Sequence, residues 1–327
     1  MAEKTGIAWC DSTFNPWLGC TKISPACDNC YAERMSGRFG VEWGAVKPRK
    51  RTSISNWKLP LKWNKEPFYE CSECHHRFDG KALNPGSNGG SFANVCPSCE
   101  STRFQQVRRR VFCGSLCDVF DNEVPAEWRA DLFRLIEKTP NLDWLLLTKR
   151  IGNIKRWLES DWISGVSTDL TGRWVKGFAP QNVWLGITAR NQEEADRDIP
   201  KLLSIPAVKL FLSIEPMLGP IDLRHLFQHC PVHDYAGGFC INDCGNWQRL
   251  SWVICGGETG KNARPMHPAW VRSLRDQCQA ACVPFFFKAW GEFYHPGPGT
   301  NPDLMVRVGR KRSGSRLDGR VWEEIPA

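Results

Sequence analysis

Cysteines carry the strongest chemical signal in this chain. Cys20, Cys27 and Cys30 fall within one stretch, Cys20-Thr-Lys-Ile-Ser-Pro-Ala-Cys27-Asp-Asn-Cys30-Tyr31. Three neighbouring thiolates can hold three irons of a [4Fe–4S] cluster and leave the fourth iron open to a ligand, whereas a structural zinc site closes with four ligands. The odd count predicts a [4Fe–4S] cluster on Cys20, Cys27 and Cys30. The alternative is a zinc knuckle completed by a remote thiol such as Cys10.

A second group, Cys71-Ser-Glu-Cys74 with Cys96-Pro-Ser-Cys99, has the paired C-x-x-C spacing of a zinc ribbon, in which four thiolates close a tetrahedral site. His75 and His76 read as surface residues beside it. The nearby basic residues Lys47, Arg49, Lys50, Arg51 and Arg108–Arg110 fit either a nucleic-acid clamp or a solvated face. A third group, Cys230, His233, Cys240 and Cys244, offers four donors in a loop-like stretch and fits either a second zinc site of the Cys3His type or a set of reduced surface thiols.

Bulk properties set the frame for these groups. Sixteen cysteines, and an N-terminus without an apolar signal region, predict reduced, metal-binding thiols in a cytoplasm rather than disulfides. No apolar run is long enough to span a membrane. The net charge of +8 favours an anionic partner such as DNA or RNA. Oligomeric state leaves no signal in the sequence.

Something must position the cysteines, and the sequence alternates strands with helices. Strands are expected at Ile7–Cys10, Arg110–Ser115, Asp143–Thr148, Asn182–Thr188, Val208–Ile214, Ser251–Cys255 and Val283–Lys288. Helices are expected at Cys30–Phe39, Pro125–Lys138, Ile151–Leu158, Gln192–Leu203 and Pro268–Cys282. Near-continuous apolar strands joined by helices require a parallel sheet covered on both faces. The expected fold is therefore α/β, a partial or complete parallel (β/α) barrel, with a doubly wound open sheet as runner-up. Its core would comprise residues 1–40 and 107–292. Residues 41–106 would form an inserted zinc-ribbon module and 225–248 a small Cys/His insertion, and 293–327 a basic extension over the surface.

In a barrel, residues at the C-terminal strand ends converge on one mouth. Lys149 and Arg150 follow strand three, Glu215 follows strand five and Lys288 ends strand seven. These four are the catalytic candidates, and Arg150 has the fork geometry for a phosphate or carboxylate. Gly256-Gly257-Glu258 after strand six would bring bare backbone and a carboxylate to a bound cofactor, with Tyr31 beside the last loop cysteine. Cys113 and Cys117 flank strand two, as a fourth cluster ligand, redox thiols or small buried hydrophobes. His267 stands at a helix start as a proton donor or a cap neighbour.

A cysteine loop directly after strand one resembles the radical S-adenosylmethionine enzymes, although their usual spacing is C-x3-C-x2-C and here it is C-x6-C-x2-C. A closer resemblance rests on Asn15-Pro-Trp-Leu-Gly-Cys20, Leu147-Thr-Lys-Arg150, Ser213-Ile-Glu-Pro-Met-Leu-Gly-Pro-Ile221 and Gly256-Gly-Glu-Thr-Gly260. It extends to Ala263-Arg-Pro-Met-His-Pro268 and Phe285-Phe-Phe-Lys-Ala-Trp-Gly-Glu292. On these segments the chain is similar to the phage-associated three-Cys-motif family. That resemblance implies an iron–sulfur barrel enzyme encoded by phages and prophages and working in the bacterial host cytoplasm. The expected cofactors are a [4Fe–4S] cluster, zinc and S-adenosylmethionine. An electron donor would be a partner, and modification or repair of a nucleic acid or nucleotide the activity. Two other classes stay open: a non-catalytic multi-metal protein that binds nucleic acid or recruits a partner, and a cluster-based redox or sensing protein.

Overall fold

The computed structural model of the 327-residue chain describes residues 3–83, 94–163, 166–226, 250–295, 301 and 304–326. Seven strands form one sheet: β1 (Ser12–Phe14), β2 (Arg109–Cys113), β3 (Leu142–Thr148), β4 (Val183–Thr188), β5 (Lys209–Ile214), β6 (Leu250–Gly256) and β7 (Phe285–Ala289). Every pairing is parallel, and the strands lie side by side in chain order. A doubly wound sheet reverses its strand order at a switch point, so this order excludes the runner-up. The sheet is curled into a half-barrel.

The connecting helices explain the curl. Helices α1 (Tyr31–Ser36) and α2 (Ile54–Lys65) follow β1, and α3 (Ala126–Glu137) follows β2. Helices α4 (Ile151–Ile163) and α5 (Asp169–Val175) follow β3, α6 (Gln192–Leu203) follows β4, and α7 (Pro268–Ala280) follows β6. Crossovers of one hand between sequential parallel strands carry the connections to one face. That face takes alternate residues such as Trp144, Leu146, Leu185, Leu212 and Phe287 into the main core. The other face has to bury itself by curling, and it does so around aromatic rings. Trp252 stands among Trp9, Trp184, Phe211 and Phe286, with ring centroids 6.3, 6.1, 6.0 and 6.0 Å away. The interior is a solid floor, which leaves chemistry to the rims.

Gly186 on β4 is part of that floor, because a Cβ there would come within 2.4 Å of the Phe211 ring. Gly186→Ala is expected to cost about 1–3 kcal/mol through overpacking and to lower the melting midpoint measured by circular dichroism. An unchanged midpoint would show that Phe211 swings aside freely.

Three expectations are corrected. The first strand is Ser12–Phe14, not Ile7–Cys10. Ile7–Cys10 makes a turn, Cys10 N donating to the Ile7 carbonyl at 3.3 Å, and delivers Trp9 and Cys10 into the aromatic floor. The supposedly irregular stretch contains α2, capped where the Ser53 hydroxyl accepts from Asn56 N at 3.3 Å and carrying a buried Pro60. The tail also does more than lie over the surface. Residues 322–324 run along the open edge of β7, with Phe287 N donating to the Trp322 carbonyl at 2.7 Å, and Ile325 packs against the inner cluster. An uncovered edge strand invites association, and this segment blunts it.

A separate antiparallel sheet, Arg77–Asp79 with Phe68–Cys71 and Phe104–Val107, has its own small core of Phe78, Tyr69 and Phe104. It docks on the N-terminal end of the half-barrel. Arg77 Nε and Nη2 donate to Asp11 at 3.0 Å, and Asp11 Oδ2 in turn accepts the Arg110 backbone N–H at 2.7 Å. Among the described residues, no helix is long and apolar enough to cross a membrane.

Candidate functional site

The three-cysteine loop leaves β1 through a two-residue strand, Trp17–Leu18, that pairs with Lys50–Arg51. Gly19 then turns the chain at φ +106°, where a Cβ would press within 3.1 Å of Arg49. A short 3₁₀ turn, Pro25–Cys27, and the start of α1 at Tyr31 complete the loop. It lies over the C-terminal ends of β2, β3 and β4. Cys20, Cys27 and Cys30 all line a cavity of about 130 Å³ there, together with Cys117, Lys149 and Thr188.

Three arginines fasten the loop from three strand ends. Arg150, after β3, donates from Nη2 to the Thr21 carbonyl at 2.7 Å and from Nη1 to Cys20 Sγ at 3.3 Å. Arg190, after β4, donates to Ser24 Oγ at 2.8 Å. Arg264, beyond β6, donates to the Pro25 carbonyl at 2.9 Å and pairs with Asp28 at 3.2 Å. Each has its own carboxylate: Asp118 for Arg150 at 3.2 Å, Glu194 for Arg190 at 2.5 Å and Glu258 for Arg264 at 2.6 Å. These salt bridges fix the guanidinium planes, so the loop is held by pre-oriented donors.

Burial, reinforced by Asp118, pushes the Cys20 thiol up to about 12, against the opposing pull of Arg150. A sulfur in that setting ionises when a cation takes the place of its proton. A guanidinium aimed at the sulfur suits a thiolate ligand better than a neutral thiol.

The strand-end candidates separate into two groups. Lys149 and Arg150 belong to the cysteine cavity. Arg150 is committed to Cys20, Thr21 and Asp118, whereas the Lys149 ammonium makes no ion pair among the described residues. Glu215 and Lys288 form a separate ion pair of 2.7 Å across the ends of β5 and β7. They straddle Gly256, where a Cβ would lie 2.9 Å from Glu215 Oε1. The carboxylate of Glu258 is buried and taken up by Arg264. Burial raises its pKa, and the Arg264 hydrogen bonds outweigh that and bring it below the usual range. Gly257 is pressed on the Trp290 carbonyl, 2.0 Å from where its Cβ would stand, so its bare backbone meets the β7 exit. Tyr31 is exposed at the start of α1. His267 caps α7, its Nδ1 accepting from Ala269 N at 3.1 Å. Cys113 is in the main core, and Cys10, whose thiol donates to the Ile7 carbonyl at 3.8 Å, lies in the floor.

Asp118, Arg190 and Arg264 escaped the sequence reading. A usable signal exists for one of them: β3 ends in Thr148-Lys149-Arg150 and β4 in Thr188-Ala189-Arg190, so adjacent strands share Thr-x-Arg.

A family model covers residues 4–326, that of the family described as "Protein of unknown function (DUF5131)". The chain belongs to the DUF5131 family. No curated protein and no solved structure matches the chain significantly.

The second cysteine group of this DUF5131 chain is built differently. Cys71, Cys74, Cys96 and Cys99 bring four sulfurs within 4.8 Å of one another, a cage that could hold one metal ion. The Sγ atoms of Cys71 and Cys99 are 3.5 Å apart, and those of Cys74 and Cys96 3.7 Å. Backbone N–H groups point at the sulfurs, Ser98 N to Cys96 Sγ at 3.4 Å among them. The backbone N–H groups of Cys74 and Glu73 pull the Cys71 thiol down to about 6. His75 and His76 are exposed beside the cage. Among the described residues no other such group of three or more donors occurs, so Cys20, Cys27 and Cys30 are not gathered as ligands of one ion. Cys230, His233, Cys240 and Cys244 lie outside the described residues.

Proposed function

We propose that the chain is an iron–sulfur enzyme of the radical S-adenosylmethionine type that modifies or repairs a nucleic acid or nucleotide, with zinc in its four-cysteine cage. The observation that carries this reading is the cavity at the C-terminal strand ends. Three thiols share it without closing on one ion, and a guanidinium donates to one of the sulfurs. Thiolates on separate irons of a cluster stand further apart than ligands of a single ion, which favours the cluster over a zinc knuckle. Cys10, the candidate fourth zinc ligand, points into the floor instead.

When bound, such a cluster supplies the electron that cleaves S-adenosylmethionine to a carbon radical; the remaining tasks fall to this chain's own residues. Arg150 holds Cys20 and compensates thiolate charge. Lys149 offers an ammonium to a carboxylate or phosphate at the cavity wall. Glu215 and Lys288 present a paired acid and base across the mouth, with Ser213 Oγ donating to Glu215 at 3.4 Å. The four-cysteine cage stands at the opposite end of the sheet, so its zinc would serve folding rather than the reaction. The phage and bacterial-cytoplasm setting comes from the three-Cys-motif resemblance alone.

Anaerobic reconstitution followed by reduction with S-adenosylmethionine tests the reading. The expected protein is brown, carries about four irons in the cluster and releases 5′-deoxyadenosine. Zinc alone on the three-cysteine loop would overturn it. Iron without cleavage would favour a second reading, which rests on Cys117. That thiol also lines the cavity and could close the fourth iron, making a redox or sensing protein.

A further inference from the structure

The segment that continues directly from Cys30 is a short helix held by surface contacts, with Glu33 paired to Lys22 and Lys50 Nζ donating to the Phe39 carbonyl at 2.9 Å. Neither α1 nor the 3₁₀ turn that extends it, Gly37–Phe39, buries a single residue. A helix of one or two turns is marginal without a packed face. Its side chains are of two kinds. Tyr31 and Phe39 are 54% and 39% exposed, two aromatic rings left open beside the cysteine cavity. Arg34 and Arg38 are exposed and make no ion pair among the described residues, whereas the exposed Arg51, Arg103 and Arg224 are each matched with a carboxylate. Tyr31 and Arg34 follow the i, i+3 spacing of one helix face, and Arg38 lies in the 3₁₀ turn that continues it.

The rim extends across the chain. The Arg34 guanidinium lies over Gly260, where a Cβ would fall 1.6 Å from Nη1, and the next residue, Lys261, is an exposed cation without an ion pair among the described residues. The acid within α1 is spoken for, Glu33 pairing with Lys22 at 2.7 Å. The result is a strip of three unmatched cations interleaved with two exposed rings, at the edge of the cysteine cavity.

We infer that this strip, Tyr31 to Phe39 with Lys261, docks single-stranded nucleic acid and feeds one unstacked nucleotide toward the cavity. The inference rests on the nucleic-acid part of the proposed function. Cations at this spacing neutralise phosphates, and the rings give bases a surface to stack on. The cavity of about 130 Å³ is too small for a duplex, so a reacting base has to leave its stack first. An acidic peptide would use the cations but not the rings.

Fluorescence anisotropy on the full-length, cluster-loaded protein tests it, using labelled single-stranded DNA, single-stranded RNA, duplex DNA and a poly-glutamate peptide as probes. Single strands are expected to bind at least tenfold more tightly than duplex or peptide, and a preference between DNA and RNA would name the polymer. The double variant Arg34→Gln/Arg38→Gln should flatten the salt dependence of binding by about 1.4 in slope, roughly 0.7 for each lost phosphate contact on a single strand. Phe39→Leu should weaken binding about tenfold through lost stacking without changing that slope. Arg34 meets Cys30 through its backbone N–H, which donates to the Cys30 carbonyl at 3.2 Å and is kept in the variant, so iron content should stay at the wild-type value. Duplex or poly-glutamate bound as well as single strands, or variants that bind like wild type, would overturn the inference. Cluster loading and S-adenosylmethionine cleavage in the same preparation would show the proposed chemistry surviving that failure.

Discussion

Cys27→Ala is expected to strip the reconstituted protein of its visible absorbance and reduce cluster iron from about four per chain to near zero. Cys27 is buried in the 3₁₀ turn, and the loop around it is fastened by Arg190 at Ser24 and by Arg264 at Pro25 and Asp28. The lost thiolate therefore cannot be replaced by a shift of the loop. Iron and zinc analysis of the same sample checks it, because zinc in the distant cage should persist. Arg150→Gln provides the contrast. It removes a cationic hydrogen bond to Cys20 Sγ but no ligand, so the cluster should still load while its midpoint potential falls, since hydrogen bonds to sulfur raise cluster potentials. Full iron retention in Cys27→Ala would sink the assignment of the loop.

The strands of the half-barrel were legible for the reason that makes the fold. A parallel strand buried on both faces reads as a near-continuous apolar run, and residues 144–147 and 183–187 are such runs. Where a second physical demand intruded, legibility failed. Ile7-Ala8-Trp9 is apolar because it plugs the floor, and the true β1, Ser12-Thr13-Phe14, hides behind polar side chains whose burial only the fold reveals. Helix α2 was obscured by Pro60. Helix α5 depends on a capping box between Thr168 and Thr171 too short-ranged to stand out from its surroundings.

The candidate site shows the same division. Cysteine spacing is local, so both cysteine groups could be read from the sequence. The arginine clamps are not, because Arg264 meets Pro25 and Asp28 only after the sheet has brought β6 beside the loop. Glu258 illustrates the risk of reading one end of a pair. A carboxylate after Gly-Gly looks available to a ligand's ammonium, yet the chain supplies its own cation six residues on. Gly257 likewise has a use inside the fold, where the β7 exit leaves no room for a side chain.

Cys96→Ser, or removal of metal by a strong chelator, is expected to unfold the four-cysteine unit while leaving the half-barrel standing. The unit's own core is a handful of aromatic side chains around Phe78, far too little to offset the ordering of its backbone, so a metal in the cage would supply its stability. A structural zinc contributes about 10–16 kcal/mol at neutral pH in small metal-folded peptides, more than a sheet of this size can supply by packing. Hydrogen exchange should therefore rise steeply over Phe68–Cys71 and Phe104–Val107 after chelation. It should rise less at β1 and β2, where Asp11 loses Arg77 but keeps the Arg110 backbone N–H. Unchanged protection at Phe104–Val107 would show a unit that folds without metal. Iron loading at the three-cysteine loop, at the other end of the sheet, should survive Cys96→Ser. A parallel loss of iron would mean that the two cysteine centres depend on one another through the sheet.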